Sequence, residues 1–220
     1  MGQLNQSAIP VRTTLLDAVN ILLENIGEQP VNTLEDEQIT DARIAERTLL
    51  EFHKEGQIKG WSWNTEVDYP FSKNSTTGEV TVPTNLLKWQ LDPYLYANRY
   101  VLRGQRIYDR DKRTFTLESH VDEIVADVIW GLPWDDTPEA FNRWITIRSA
   151  RVFSSRVLGS TDSFRYTAAD EEAAQVILER NEQQQEQPNL LTGDRGYLPF
   201  RTMAPASGLS SRRLSAGVRL

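Results

Sequence analysis

The chain has 220 residues, 31 Asp+Glu against 24 Lys+Arg, a formal net charge of -7 and no cysteine. That length accommodates one domain with an appendage or two small domains, and the absence of cysteine excludes a disulfide framework, a thiolate nucleophile and Cys-ligated zinc or iron-sulfur sites. Apolar content is 39%, about 41% when Gly is counted in place of Tyr, below the roughly 45–50% of an ordinary globular domain, so part of the chain is not core. No run approaches about 18 uncharged apolar residues, and Met1 to Leu16 holds no continuous apolar stretch, so neither a membrane span nor a signal peptide is expected.

Thr14 to Ile26 sets Leu15, Ala18, Val19, Leu22, Leu23 and Ile26 on one helical stripe, with Thr13 or Thr14 as cap, Asp17 in the first turn and Gly27 at the exit. A turn over Glu28 to Leu34 leads to Glu35-Asp36-Glu37, which reads as the acidic first turn of a second helix and not as a metal site. Ile39, Ala42, Ala45, Leu49 and Phe52 carry that helix to about Ile58. At Trp61 the period changes to two, and Trp61, Trp63, Thr65, Val67 and Tyr69 predict one face of a strand. Short apolar segments follow at 80–82, 100–102, 107–108, 115–117 and 124–129, while Leu86 to Leu91 suggests a helical turn before Asp92-Pro93.

Pro133-Trp134-Asp135-Asp136-Thr137-Pro138 is a helix-start signal, with Thr137 as N-cap and Pro138 at N1. Phe141, Trp144, Ile145, Arg148, Val152 and Phe153 then share a face, and a last helix over about Thr167 to Gln187 carries Ala169, Ala173, Val176, Ile177 and Arg180 before Pro188 stops it. The expected class is α+β and mainly helical: a four-helix bundle over 14–59 and 133–187, interrupted by a small antiparallel β domain over 60–132, with an extended basic C-terminal arm over 188–220.

Charge divides the same way. Up to Pro188 there are 19 basic and 30 acidic residues, a net of -11, and beyond it Arg195, Arg201, Arg212, Arg213 and Arg219 face only Asp194, a net of +4. The arm lacks helical or strand periodicity and buries too little to offset its ordering entropy, so in isolation it is expected to be disordered or extended. Its Tyr197 and Phe200, among other apolar residues, suit an arm that orders on a partner.

Catalytic chemistry is sparse. His53 and His120 are the two histidines, both read as surface residues, and no phosphate-cradling, nucleophile-elbow or zincin pattern occurs. The carboxylates Asp109 with Asp111, and Asp135 and Asp136 with Glu139, could serve a glycosidase as acid and base, but a hairpin turn and a helix start explain them in a chain with 31 acids. The expectation is therefore no enzyme, no catalytic residue, no cofactor and no metal, the alternative being a peptidoglycan or polysaccharide hydrolase. Trp61, Trp63, Phe141, Trp144, Ile145 and Phe153 read as core or subunit packing. An acidic body without a basic stripe does not predict direct nucleic-acid reading.

Four stretches carry a resemblance. Ala18 to Leu34, Gly60-Trp61-Ser62-Trp63-Asn64, Ile107-Tyr108-Asp109-Arg110, and Pro138 to Ile145 followed by Ala150-Arg151-Val152-Phe153 resemble, in this order, the tail tubular protein A family of short-tailed, T7-like bacteriophages. The similarity spans about 14–187. It implies a structural adaptor of the virion tail, made and assembled in the bacterial host cytoplasm: a homo-oligomeric ring of twelve beneath the portal protein, with the nozzle protein (tail tubular protein B) below and tail fibre protein attached near the junction. Genomic DNA would pass through the lumen without sequence-specific binding, and no membrane is involved. The basic arm lies beyond the resembling stretch; its charge and apolar anchors make it the expected portal-docking arm, with Arg195, Tyr197, Phe200, Arg201, Arg212, Arg213 and Arg219 as its docking residues.

Overall fold

A computed structural model describes residues 12–34, 40–159 and 166–186. The acidic triplet at 35–37 and the arm with its predicted docking residues lie outside them.

Helix α1 (Leu15–Asn25) begins where local signals place it. The Thr14 hydroxyl accepts from the Asp17 amide while the Asp17 carboxylate accepts from the Thr14 amide, a reciprocal capping box. It ends in a Schellman exit: Gly27, at φ +84°, donates to Glu24 O, and Glu28 donates to Leu23 O. Helix α2 (Thr40–Gln57) buries Ala42, Ala45, Leu49 and Phe52 along one side. The last helices are α4 (Glu139–Leu158) and α5 (Ala168–Glu186). Helix α4 packs on α1, α2 and α5, and α1 also packs on α2, so α4 is the central member of the helical group. This makes α4 more than an amphipathic surface helix. Besides Phe141, Trp144, Ile145 and Phe153 it buries Asn142, Thr146, Ile147, Ser149, Ala150 and Ser154, on faces that a single stripe would leave exposed.

Between α2 and α4 the chain is mainly extended. Strands β1 (Thr65–Ser72), β2 (Leu86–Leu91) and β5 (Glu123–Trp130) form an antiparallel sheet in the order β1-β5-β2. Strands β3 (Tyr100–Arg103) and β4 (Arg106–Asp109) form a hairpin, and α3 (Pro93–Tyr96) is a single turn between β2 and β3. The segments at 79–82 and 114–116 add isolated bridges to this framework. The fold is thus mixed α+β with five helices and small antiparallel sheets. Two apolar clusters result. One gathers helical residues with Trp61 and Trp134, and the other joins Phe71, Val80, Val82, Tyr100, Ile107, Leu117 and the inward side of β5.

Four local expectations are corrected. Trp61 and Trp63 lie in the turn at 61–64, ahead of the strand, and belong to the helical cluster. Their alternation came from a tight turn clamped by Asn64, whose side chain accepts from the Trp61 amide at 2.8 Å. In β1 itself the alternation breaks at Asp68, whose φ of +56° and register shift leave Val67 exposed. Leu86–Leu91 is a strand, because pairing with β5 decides a short apolar run that periodicity leaves ambiguous, and the helical turn comes after Pro93. Thr137 is no N-cap: Pro138 holds that position without a side-chain cap, and the Thr137 hydroxyl turns inward. Along α5 the buried residues are Ala174 and Leu178, whereas Ala169, Ala173, Val176, Ile177 and Arg180 are exposed.

Candidate functional site

Three places combine polar chemistry or exposed apolar surface in a way that function could use. The first is a buried polar node at the junction of α2 and α4. Gln57 pairs with the backbone of Leu132 as a strand would: Leu132 N donates to Oε1 at 2.7 Å and Nε2 donates to Leu132 O at 3.0 Å. That orientation turns Nε2 toward His53 Nδ1 at 3.0 Å, so Nδ1 accepts and the ring carries its proton on Nε2, donating to Thr137 Oγ1 at 3.2 Å. Thr137 and Asn142 close the node on Trp134 O. His53 is 5% exposed, tilted against Trp134 and edge-on to Phe141, which corrects its reading as a surface residue. Burial lowers its pKa to about 4, so the imidazole is neutral and serves as a spacer between helices.

The second is a charged node in the β part. Arg99 donates to Asp109 Oδ2 from Nε at 2.9 Å and from Nη2 at 2.5 Å, and to Glu118 at 2.7 Å. Lys112 and His120 also reach Glu118. Burial pushes the Asp109 carboxyl up, but the Arg99 guanidinium and the amides of Lys112 and Asp111 outweigh it and hold the group below its ordinary value. Glu118 sits well below the usual carboxylate range because of Lys112 and then Arg99, and the Arg99 guanidinium is raised by the same bonds to Asp109 and Glu118. A carboxylate kept ionised by a guanidinium and two backbone amides is a turn anchor. It lacks the raised pKa of a general acid.

The other carboxylates considered as catalysts are placed structurally too. Asp135 and Asp136 are exposed in the 3₁₀ turn Trp134–Asp136. Glu139 accepts from the Thr13 amide at 2.9 Å and from its hydroxyl at 2.5 Å, tying the start of α4 to the residue before the α1 cap. Among the described residues there is no group of three His, Asp or Glu side chains able to hold a metal, and no helix long and apolar enough to cross a membrane.

The third place is surface. Beside α2 lies an open groove of about 1060 Å³ lined by Arg43, Ile44, Arg47, Leu50, Glu51 and Arg156, among others. Helix α5 presents Ala169, Ala173, Val176 and Ile177 outward. Tyr94 and Leu95, on α3, are 87% and 64% exposed.

Of the residues singled out for packing, Trp61, Phe141, Trp144, Ile145 and Phe153 are buried together in the helical cluster, and Trp63 is partly buried against it. Trp61, Phe141 and Trp144 meet edge-on or tilted at centroid distances of 5.9–6.4 Å, and Trp63 meets Phe141 at 5.0 Å. Sequence reasoning missed Asn64, Gln57 and the Arg99–Asp109 pair. Asn64 carried one usable signal, a turn-forming residue between a helix end and a strand start; the other two depend on partners distant in sequence.

Comparison with known proteins gives one family. The family model described as "Tail tubular protein" matches residues 16–188, a stretch that includes the helical cluster, the β part and every residue of the two nodes. No curated protein matches the chain. With most of its length matched in one continuous stretch, the chain belongs to the tail tubular protein family and is a structural protein of the bacteriophage tail.

Proposed function

We propose that this tail protein is the adaptor between head and nozzle: twelve copies form a ring that joins the portal to tail tubular protein B, surrounds the DNA exit channel and helps anchor the tail fibres. The observation that carries the reading is that the family match runs unbroken from 16 to 188, through both apolar clusters. The whole body is then the unit the family uses. Charge supports the channel role, since twelve copies of a chain at -7 would carry -84, and DNA in such a lumen slides without phosphate contacts. The unit divides into a helical domain (14–59 and 133–187), an inserted β domain (60–132) and a basic arm (188–220) that docks on the portal through Arg195, Tyr197, Phe200, Arg201, Arg212, Arg213 and Arg219. Synthesis and assembly take place in the host cytoplasm.

Electron-microscopic reconstruction of the purified virion tail is the test. The expected result is a twelvefold ring of this chain directly below the portal; a position outside the collar, or another ring number, overturns the adaptor reading. Deleting 189–220 is expected to leave a folded body that no longer joins portals, and infectious particles built from the truncated chain would overturn the arm's role.

A further inference from the structure

We propose that the α2 groove of one subunit is the receptor for the outer face of α5 from a second copy of this chain, so that subunits join head to tail through two different helices. The proposal rests on the ring reading and names its subunit contact. The groove sets Ile44 and Leu50, 46% and 41% exposed, on either side of Arg47, with Arg43 one turn before Arg47. Glu51 is engaged by Arg156 at 3.7 Å, and Glu46 lies in the lining between Arg43 and Arg47, so three arginines against two carboxylates leave the groove a net charge of +1.

Helix α5 has the matching character. Ala174 and Leu178 face inward, and on the other side Ala169, Ala173, Val176 (40% exposed) and Ile177 (56% exposed) form a second apolar stripe at helical spacing. Glu172 is exposed beside that stripe, one turn before Val176. The helix carries Asp170, Glu171, Glu172, Glu179, Glu182 and Glu186 against Arg180; Arg151, Lys59 and the Ser62 amide engage Glu171, Glu179 and Glu182, so Glu172 is the acid beside the stripe, with the exposed Arg180 at the stripe's C-terminal end. An aliphatic stripe flanked by Glu172 thus faces an aliphatic groove of net charge +1 in which the exposed Arg47 lies between Ile44 and Leu50.

Charge also selects among occupants. The chain's own C-terminal segment beyond Pro188 has a net charge of +4, the wrong sign for a groove edged by Arg43 and Arg47. The acidic helix has the right one. Because receptor and ligand are different surfaces of one subunit, the contact is heterologous, the kind that closes into a ring when the rotation between neighbours permits.

The test uses the natural absence of cysteine. Virions are assembled with a mixture of two full-length chains, one Arg47→Cys and the other Glu172→Cys with a size tag, and treated with a mild oxidant. A disulfide-linked dimer of mixed size is expected at least tenfold above either single variant alone. Rings visible by microscopy without this dimer, or dimers between two Arg47→Cys copies, overturn the pairing and leave the ring reading standing. The mixed dimer in particles without a ring would support the pairing and overturn the ring. As a second measurement, Arg47→Glu should lower incorporation of the chain at least tenfold and Glu172→Arg in the same chain should restore it; failure of the exchange to restore incorporation counts against the pairing.

Discussion

A buried imidazole with no carboxylate partner makes folding sensitive to pH. His53 has its pKa lowered by burial from 6.5 to about 4. Above 6.5 neither the folded nor the unfolded chain binds a proton there. Between 6.5 and 4 only the unfolded chain does, so stability is full above pH 6.5 and falls as pH drops toward 4. The loss amounts to about 3 kcal/mol at 1.36 kcal/mol per pH unit. His53→Gln should be less stable at pH 7.5 but show a flatter decline in urea midpoint between pH 7 and 4.5; parallel declines for the two proteins would place the native imidazole in water. The surroundings of His53 were not legible in sequence. Its neighbours Lys54 and Glu55 are exposed, and the groups that enclose it, Thr137 and Trp134, come from the far side of the β insertion. The capping box of Thr14 and Asp17 was legible because both partners lie within one turn.

Elements show the same dependence on distance. Helix α1 could be read with its ends, since Thr14, Asp17 and Gly27 encode them locally. The face of α5 could not, because Val176-Ile177 and Ala174 with Leu178 both offer helical apolar spacing and only packing against α4 chooses between them. Helices α2 and α4 approach closely at Gly56, where an added Cβ would lie 2.8 Å from Ile145 Cδ1, 3.0 Å from Trp144 and 3.1 Å from Phe141. Ala is favoured over Gly in a helix by about 1 kcal/mol, but overpacking a filled core costs about 1–3 kcal/mol. Here three large side chains crowd the added methyl, so Gly56→Ala should be net destabilising by about 1 kcal/mol, read from the urea midpoint. A stabilised variant would mean that α4 can shift outward at no cost. Trp144→Ala empties the other side of the same contact and should cost about 3–5 kcal/mol; an unchanged melting curve would place its ring outside the monomer core.

The molecule as a whole is two apolar clusters joined by a polar seam. Asn64 is the centre of that seam: its side chain accepts from Trp61 N at 2.8 Å and donates to Gln57 O at 3.1 Å and to Trp130 O at 2.9 Å. Three backbone groups, from the end of α2, the turn and the end of β5, are thus satisfied by one amide in a place that water does not reach, for Asn64 is 2% exposed. The Gln57–Leu132 pair is the second tie, between α2 and the segment leading from β5 to α4. A residue that leaves buried partners unpaired costs about 1–3 kcal/mol for each group. Gln57 O keeps its bond from Gly60 N, and the backbone bonds Asn64 N to Trp61 O and Trp130 N to Asn64 O survive truncation, so with Trp61 N and Trp130 O losing their side-chain partner, Asn64→Ala should cost about 3 kcal/mol in total. The wild-type chain should then unfold in one calorimetric transition, and the double variant Asn64→Ala, Gln57→Ala should resolve into two, with amide exchange in β5 accelerated before that in α4. If the double variant kept a single transition near the wild-type melting temperature, the clusters would be coupled by apolar contact across Gly60 and Ile129, where an added Cβ would sit 2.7 Å from the isoleucine, and Gly60→Ala would become the substitution that separates them.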